Sequence, residues 1–215
     1  MKKQKTIDIT MWMGDFTYPG DEKFKIEGPY SAIGEEKEFC YKISTNSVDG
    51  THIQAPHYML KNGKKINDFD ISYFRREAVL IDLQDIDGNE IPLELLKKEL
   101  DKENLKNKAV IFRTGVMDKL INGKNGKDKL LPVSGVKYLI DKGVKMIITD
   151  TTCLDNPFVT DGVCHTTLLC CKNDVILVKQ VCRLNKISKR NVIVEAYPLK
   201  IRGISGTPCR VVITE

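Results

Sequence analysis

The sequence predicts an α/β or α+β fold built on a mixed sheet. Two observations predict it: strand-like apolar runs clearly outnumber helical segments, and two of the helical segments stand between such runs. "KTIDIT" (5–10) reads as a short strand entering the loop "GDFTYPGDEK", where Pro19-Gly20 is a strong turn dipeptide. "FKIEG" and "EFCYKIST" follow as strand candidates around a Gly-Pro break. The segment "STNSVDGTHIQAPHYML" (44–60) is a strand-to-loop transition, because Gly50 and Pro56 forbid a regular helix.

"EAVLIDL" (77–83) is a buried-strand run closed by the turn "DIDGN". "IPLELLKKELDKENL" (91–105) places its apolar residues at helical spacing, with Pro92 suited to the first turn. "KAVIFRTG" (108–115) is a strand ending in glycine, and "PVSGVKYLIDKG" (132–143) is a helix stopped by Gly143. "VKMIITD" (144–150) is a buried strand with Asp150 at its carboxyl end. "VCHTTLLCCKN" reads as helical, and "DVILVKQV", "NVIVEAYPLKI" and "CRVVIT" read as strands. The lysine-rich "DKLINGKNGKDKLL" (118–131) is expected to be a solvated surface loop.

A chain of 215 residues, 41% hydrophobic and 29% charged, suits one globular domain over 1–215 with a real core. Its net charge of +5 is mild, and acidic residues are interspersed with basic ones. No Lys/Arg stripe with interleaved aromatics is present, so nucleic acid is not an expected partner. The first residues lack the apolar run of a secretory signal, and no window reaches the roughly 18 apolar residues of a spanning helix. Neither export nor a membrane is therefore expected. The seven cysteines are odd in number and form no CxxC pair, which predicts reduced thiols in a cytoplasm.

Polar groups gather at strand ends and turns in "YPGD" (18–21), "GTHIQAPH" (50–57), "RTG" (113–115), "DTTCLD" (150–155) and "CHTT" (164–167). Two of the three histidines, His52 and His57, flank Gln54. Each group also has a purely structural reading. His52 could hold the Gly50 turn, His57 could lie at the surface, and Asp150 could cap the turn that follows it. Cys164 beside His165, or Cys153 in "DTTCLD", could act as a thiolate, although no cysteine-hydrolase motif is present. Cys170 and Cys171 are more simply small core residues.

Taken together these strings resemble the cyclase family of metal-dependent hydrolases, which includes bacterial kynurenine formamidases and isatin hydrolases. "GTHIQAP" looks like the family's GTHxDxP signature, and "IDIT", "YPGD", "VIFRTG", "GVKMIITDTTCLD", "HTTLL" and "YPLKIRGISGTPCRVVI" follow in family order over nearly the whole chain. The resemblance implies a barrel-like mixed sheet with flanking helices, of the swivelling β/β/α type, in a homodimer or higher oligomer. It also implies hydrolysis of a small amide, lactam or lactone at a divalent metal, Zn or Mn.

The sequence departs from the family's HxGTHxDxPxH pattern at most ligand positions. Val48 stands at the first histidine, Gln54 at the aspartate and Tyr58 at the last histidine, with His57 one residue early. His52 and His165 match a histidine each, and Lys179 falls near the later glutamate. A hydrolytic divalent ion favours neutral imidazoles together with an anionic oxygen, and this set supplies no such oxygen. His52, His57 and His165 could form a three-histidine site only if the turn at Pro56 overrides their odd spacing.

The resemblance therefore assigns His52 and His165 as catalytic residues. Asp21, Gln54, Tyr58 and Asp150 are the expected substrate contacts, and His52, Gln54, His57 and His165 the candidate ligands of any metal. The rival expectations are a small-molecule binder on the same scaffold and a metal-independent lyase or isomerase.

Overall fold

The computed structural model describes residues 4–30, 39–155 and 162–215. Strands are β1 (Thr6–Asp8), β2 (Lys25–Tyr30), β3 (Cys40–Ser44), β4 (His52–Gln54), β5 (Arg75–Asp82), β6 (Ala109–Arg113), β7 (Met146–Thr149), β8 (Ile176–Lys179), β9 (Asn191–Pro198) and β10 (Gly206–Thr214). Helices are α1 (Leu93–Leu100), α2 (Val116–Ile121), α3 (Val133–Asp141) and α4 (His165–Lys172).

Strands β5, β6, β7 and β8 run parallel, and parallel neighbours need long crossovers. Here α1 joins β5 to β6, α2 and α3 join β6 to β7, and α4 joins β7 to β8. The antiparallel strands β4, β10 and β9 complete the circuit from β8 back to β5. Seven strands thus close a mixed, barrel-like ring, and β1 hangs on β10 outside it. The α/β reading with a barrel-like core and flanking helices holds.

Strand alternation divides the apolar residues into two cores. Ala78 and Leu80 of β5, Ala109 and Ile111 of β6, Met146 and Ile148 of β7, and Ile176 and Val178 of β8 fill the inside of the ring. Their alternates Val79, Ile81, Val110, Phe112, Ile147 and Leu177 pack outward against the helices. On β4, Ile53 belongs to the inner core. Its neighbours His52 and Gln54 therefore face outward, on the same side as Leu177 and Lys179 of β8. The buried face of α4 consists of Thr166, Thr167, Cys170 and Cys171, small side chains that let the helix lie close to this side of the sheet. Cys170 and Cys171 are buried there, as the sequence predicts.

Two expectations change in detail. The stretches around "FKIEG" and "EFCYKIST" do form strands, but as a separate two-stranded ribbon, β2 with β3. Glu38, which opens the second stretch, lies outside the described residues. The lysine-rich segment begins as helix α2, and its acids are anchored. Asp118 accepts a hydrogen bond from the Arg183 backbone at 2.8 Å, and Asp128 accepts one from the Thr152 backbone at 2.7 Å.

The three-residue β4 is held between β8 and β10, and its close fit to β10 requires a glycine. A Cβ at Gly206 would lie 2.8 Å from the Ile53 carbonyl oxygen and 2.9 Å from Val48 Cγ1. Gly206→Ala is expected to destabilise the protein by about 1–3 kcal/mol, as overpacking against backbone does. Urea unfolding followed by circular dichroism measures it.

Candidate active site

The site begins at Gly50, whose φ of +60° places its carbonyl oxygen beneath the first side chain of β4. His52 Nδ1 lies 2.8 Å from that oxygen. A carbonyl can only accept, so Nδ1 carries the proton and Nε2 presents its lone pair. That lone pair faces the Gln54 carboxamide, whose Nε2 donates to it at 3.3 Å. His52 is 3% exposed. Burial pulls its pKa down to about 4, the Gly50 contact opposes the shift, and the nearby Lys179 charge reinforces it. The imidazole is neutral, in one tautomer, at any physiological pH.

Gln54 is itself buried, and its Oε1 has no partner among the described residues. The Tyr58 hydroxyl approaches the same carboxamide from the 3-10 turn Pro56–Tyr58. Burial raises the Tyr58 pKa, with further contributions from Cys153, Cys164 and Asp21. Asp21 is exposed and acts electrostatically on both Tyr18 and Tyr58. Cys153 Sγ lies 4.0 Å from the Tyr18 hydroxyl, and this thiol, followed by burial, pushes the Tyr18 pKa up to about 12.

Opposite His52, in register across β4 and β8, stands Lys179 at 6% exposure. Its charge reaches His52, Cys164, Cys170 and Cys171. Burial and Asp155 raise the Cys164 pKa more than Lys179 lowers it, so this thiol stays protonated. That weakens the case for Cys164 as a nucleophile.

The carboxylates of "DTTCLD" and its surroundings are committed to the scaffold. Asp150 accepts from the Thr114 backbone at 2.8 Å, the Thr114 hydroxyl at 2.6 Å and the Gly115 backbone at 2.7 Å. Burial still pushes its pKa up to about 6 against those donors. Asp150 therefore clamps the "RTG" turn, 35 residues earlier in the chain, and not the turn that follows it as the sequence suggested. Asp155 binds the backbones of Thr166 and Thr167 at 2.6 and 2.9 Å and so secures the first turn of α4. Asp128 binds the backbones of Thr152 and Cys153 at 2.7 and 3.2 Å and fixes the loop that carries Cys153. Sequence reasoning passed over Asp128 because it lies in the lysine-rich segment. No local signal marks an acid that acts 24 residues away.

The remaining histidines lie on other elements, His57 in the 3-10 turn and His165 at the start of α4. His57 is half-buried, and its Nδ1 lies 3.2 Å from the Leu60 carbonyl within its own turn. His165 is exposed as the first residue of α4. The described residues contain no group of three or more His, Cys, Asp or Glu arranged to hold a metal ion. The donors that do converge are one neutral imidazole and one carboxamide, with an ammonium across the strand pair. Among the described residues such a set does not suit a divalent cation, since one imidazole and one amide are too few donors and a fixed positive neighbour opposes a second charge.

The His52 environment makes stability depend on pH. The unfolded imidazole takes up a proton near pH 6.5, the folded one only near 4. Its contribution is thus complete above 6.5 and is lost as pH falls toward 4, in total about 3 kcal/mol. The stability difference between the wild type and His52→Asn should therefore shrink progressively from pH 7 to pH 5 in urea titrations.

Comparison with known proteins places this geometry. The sequence pattern of the Cyclase family matches residues 6–156. A kynurenine formamidase of Bacillus thuringiensis subsp. konkukian (strain 97-27) is 26% identical over 219 residues, covering 99% of each chain. Among solved structures, isatin hydrolase A from Ralstonia solanacearum superimposes with a TM-score of 0.85 at 18% identity, covering 98% of this chain and 92% of its own. A predicted metal-dependent hydrolase from Bacillus stearothermophilus does so with a TM-score of 0.75 at 20% identity, covering 99% and 98%. The family pattern spans well over half of the chain and both kinds of relative span nearly all of it: the protein belongs to the cyclase family.

Proposed function

We propose that the protein is a hydrolase of a small amide, lactam or lactone, working at the outer face of β4. The observation that carries this reading is His52, a buried neutral imidazole whose tautomer is fixed by Gly50 and whose Nε2 lone pair is directed at a displaceable carboxamide. Full-length likeness to a kynurenine formamidase supports it. A water that displaces the Gln54 amide would be activated by His52, which takes its proton as the oxygen attacks the carbonyl carbon. The imidazolium then returns the proton to the leaving nitrogen or oxygen as the scissile bond breaks. The freed Gln54 amide donates to the oxygen on which charge develops.

In this reading Tyr58 and Asp21 contact the substrate at the mouth, and His165 is the second histidine of the reaction, at the start of α4. Asp150 acts only through the turn it clamps. Among the described residues no group of three or more His, Cys, Asp or Glu is arranged to hold a metal ion, so no step is assigned to Zn or Mn.

A second reading is favoured by one observation. An imidazole with its pKa near 4 is a weak base at neutral pH, which suits a small-molecule binder as well as an enzyme. Turnover of aryl formamides, lactams and lactones separates the two. Hydrolysis that falls roughly 100-fold in His52→Ala, with the fold intact by circular dichroism, supports the enzyme. Stabilisation by the same compounds without turnover supports the binder.

We also propose that the chain works as a homodimer or higher oligomer in the cytoplasm. All seven cysteines are free thiols, and among the described residues no helix is long and apolar enough to cross a membrane. The β2–β3 ribbon exposes Ile26, Tyr41 and Ile43, and an isolated two-stranded ribbon is marginal in water. A second copy covering it would supply the missing burial. Ile26→Asp with Ile43→Asp is expected to shift the mass in multi-angle light scattering from oligomer to monomer. An unchanged monomeric mass in both proteins would remove this proposal.

A further inference from the structure

The disagreement between this site and a divalent ion has a constructive side. Lys179 ends β8 in a buried position, and its Nζ has no hydrogen-bond or ion-pair partner among the described residues. Antiparallel pairing opposite His52 places the two side chains on one face, a few ångströms apart at their Cβ atoms. Three acids among the described residues are engaged elsewhere: Asp155 caps α4, Asp150 clamps the Thr114 turn, and Asp128 holds the Cys153 loop, while Asp21 is exposed and acts on Tyr58. Beside the ammonium stand a neutral imidazole, a neutral carboxamide and a protonated thiol. An ammonium on a side chain that is only 6% exposed, with no carboxylate paired to it among the described residues, is a position that an anion can complete.

We propose that the Lys179 ammonium is the resident cation of this site, occupying the electrostatic role of a metal, and that the site is a receptor for a small organic carboxylate. This rests on the reading of the β4 face as the reactive site. There the same oxygen is carbonyl in the substrate, charged in the tetrahedral intermediate and carboxylate in the product. Gln54 contributes an amide donor beside that carboxylate, and its unpartnered Oε1 can accept from an attached N–H or from a second, protonated oxygen. The ligand class is a monoanionic carboxylate, aliphatic or aromatic, and no divalent ion takes part in its binding.

Calorimetric titration of the purified full chain with sodium formate, sodium benzoate, neutral benzamide and zinc chloride at pH 7 tests this. The expected result is saturable binding of formate or benzoate that weakens at least tenfold in Lys179→Met and is retained in Lys179→Arg. Benzamide should bind far more weakly than benzoate, and zinc should show no stoichiometric site. The paired variant Gln54→Asp, Lys179→Glu should gain a zinc site, because it removes the cation and supplies two carboxylates. Should Lys179→Met fail to fold, Lys179→Gln and the benzoate-to-benzamide ratio carry the same test.

Equal carboxylate binding by wild type and Lys179→Met, no carboxylate binding at all, or one zinc ion bound per wild-type chain overturns the proposal. Carboxylate binding through Lys179 without turnover of any amide would instead remove the hydrolase reading and leave this one standing. Hydrolysis that needs zinc and ignores Lys179→Met would do the reverse.

Discussion

The antiparallel register that sets His52 opposite Lys179 is the constraint on which the site depends. β4 has only three residues, and two of them face outward. Because side chains alternate, a slip of one residue would bury His52 and Gln54 in the inner core and turn Ile53 outward. Two neighbours prevent that slip. β10 pairs through Gly206, which leaves no room for a Cβ, and β8 contributes Ile176 and Val178 to the ring interior. The ring thus fixes which polar groups share a face before any of them hydrogen-bonds.

Most of this framework was legible in the residues. The apolar runs of β5, β6, β7 and β8 are continuous because both faces are covered, and that is how buried parallel strands read. The glycine and proline that bound "GTHIQAP" marked the strand-to-loop transition correctly, with His52 through Gln54 extended and Pro56 starting a turn. Even Lys179 carries a local signal, as a lone cation at the end of the apolar run "VILVKQV". Closure of the ring was not legible from composition or spacing, since the β9–β10 and β5–β9 pairings join segments that any local pattern leaves unordered.

The site was legible only as a set of positions. Sequence order brought His52, Gln54 and Tyr58 to one short segment, and the structure keeps them together. The roles of the acids needed coordinates, because an aspartate that binds substrate and one that binds a backbone N–H look alike in a string. Asp150, Asp155 and Asp128 each accept two or more hydrogen bonds from turns or a helix start. They act on the site at one remove, by fixing where Cys153, α4 and the Thr114 turn stand.

That commitment of the acids gives the site its electrostatic sign. In a pocket meant for a dication, carboxylates must remain available, and backbone donors must not neutralise them first. Here backbone donors have taken Asp150, Asp155 and Asp128, and the Lys179 charge stands across from His52 on the outward face of the β4–β8 pair. In the proposed hydrolysis, a water activated by a neutral, low-pKa imidazole gains little from the base itself, so most of the barrier lowering comes from stabilising the oxygen that becomes negative. On the proposal above, the Lys179 ammonium across from His52 provides it. The proposal thus meets on this scaffold, with a side chain, a demand for positive charge that a metal ion could otherwise meet.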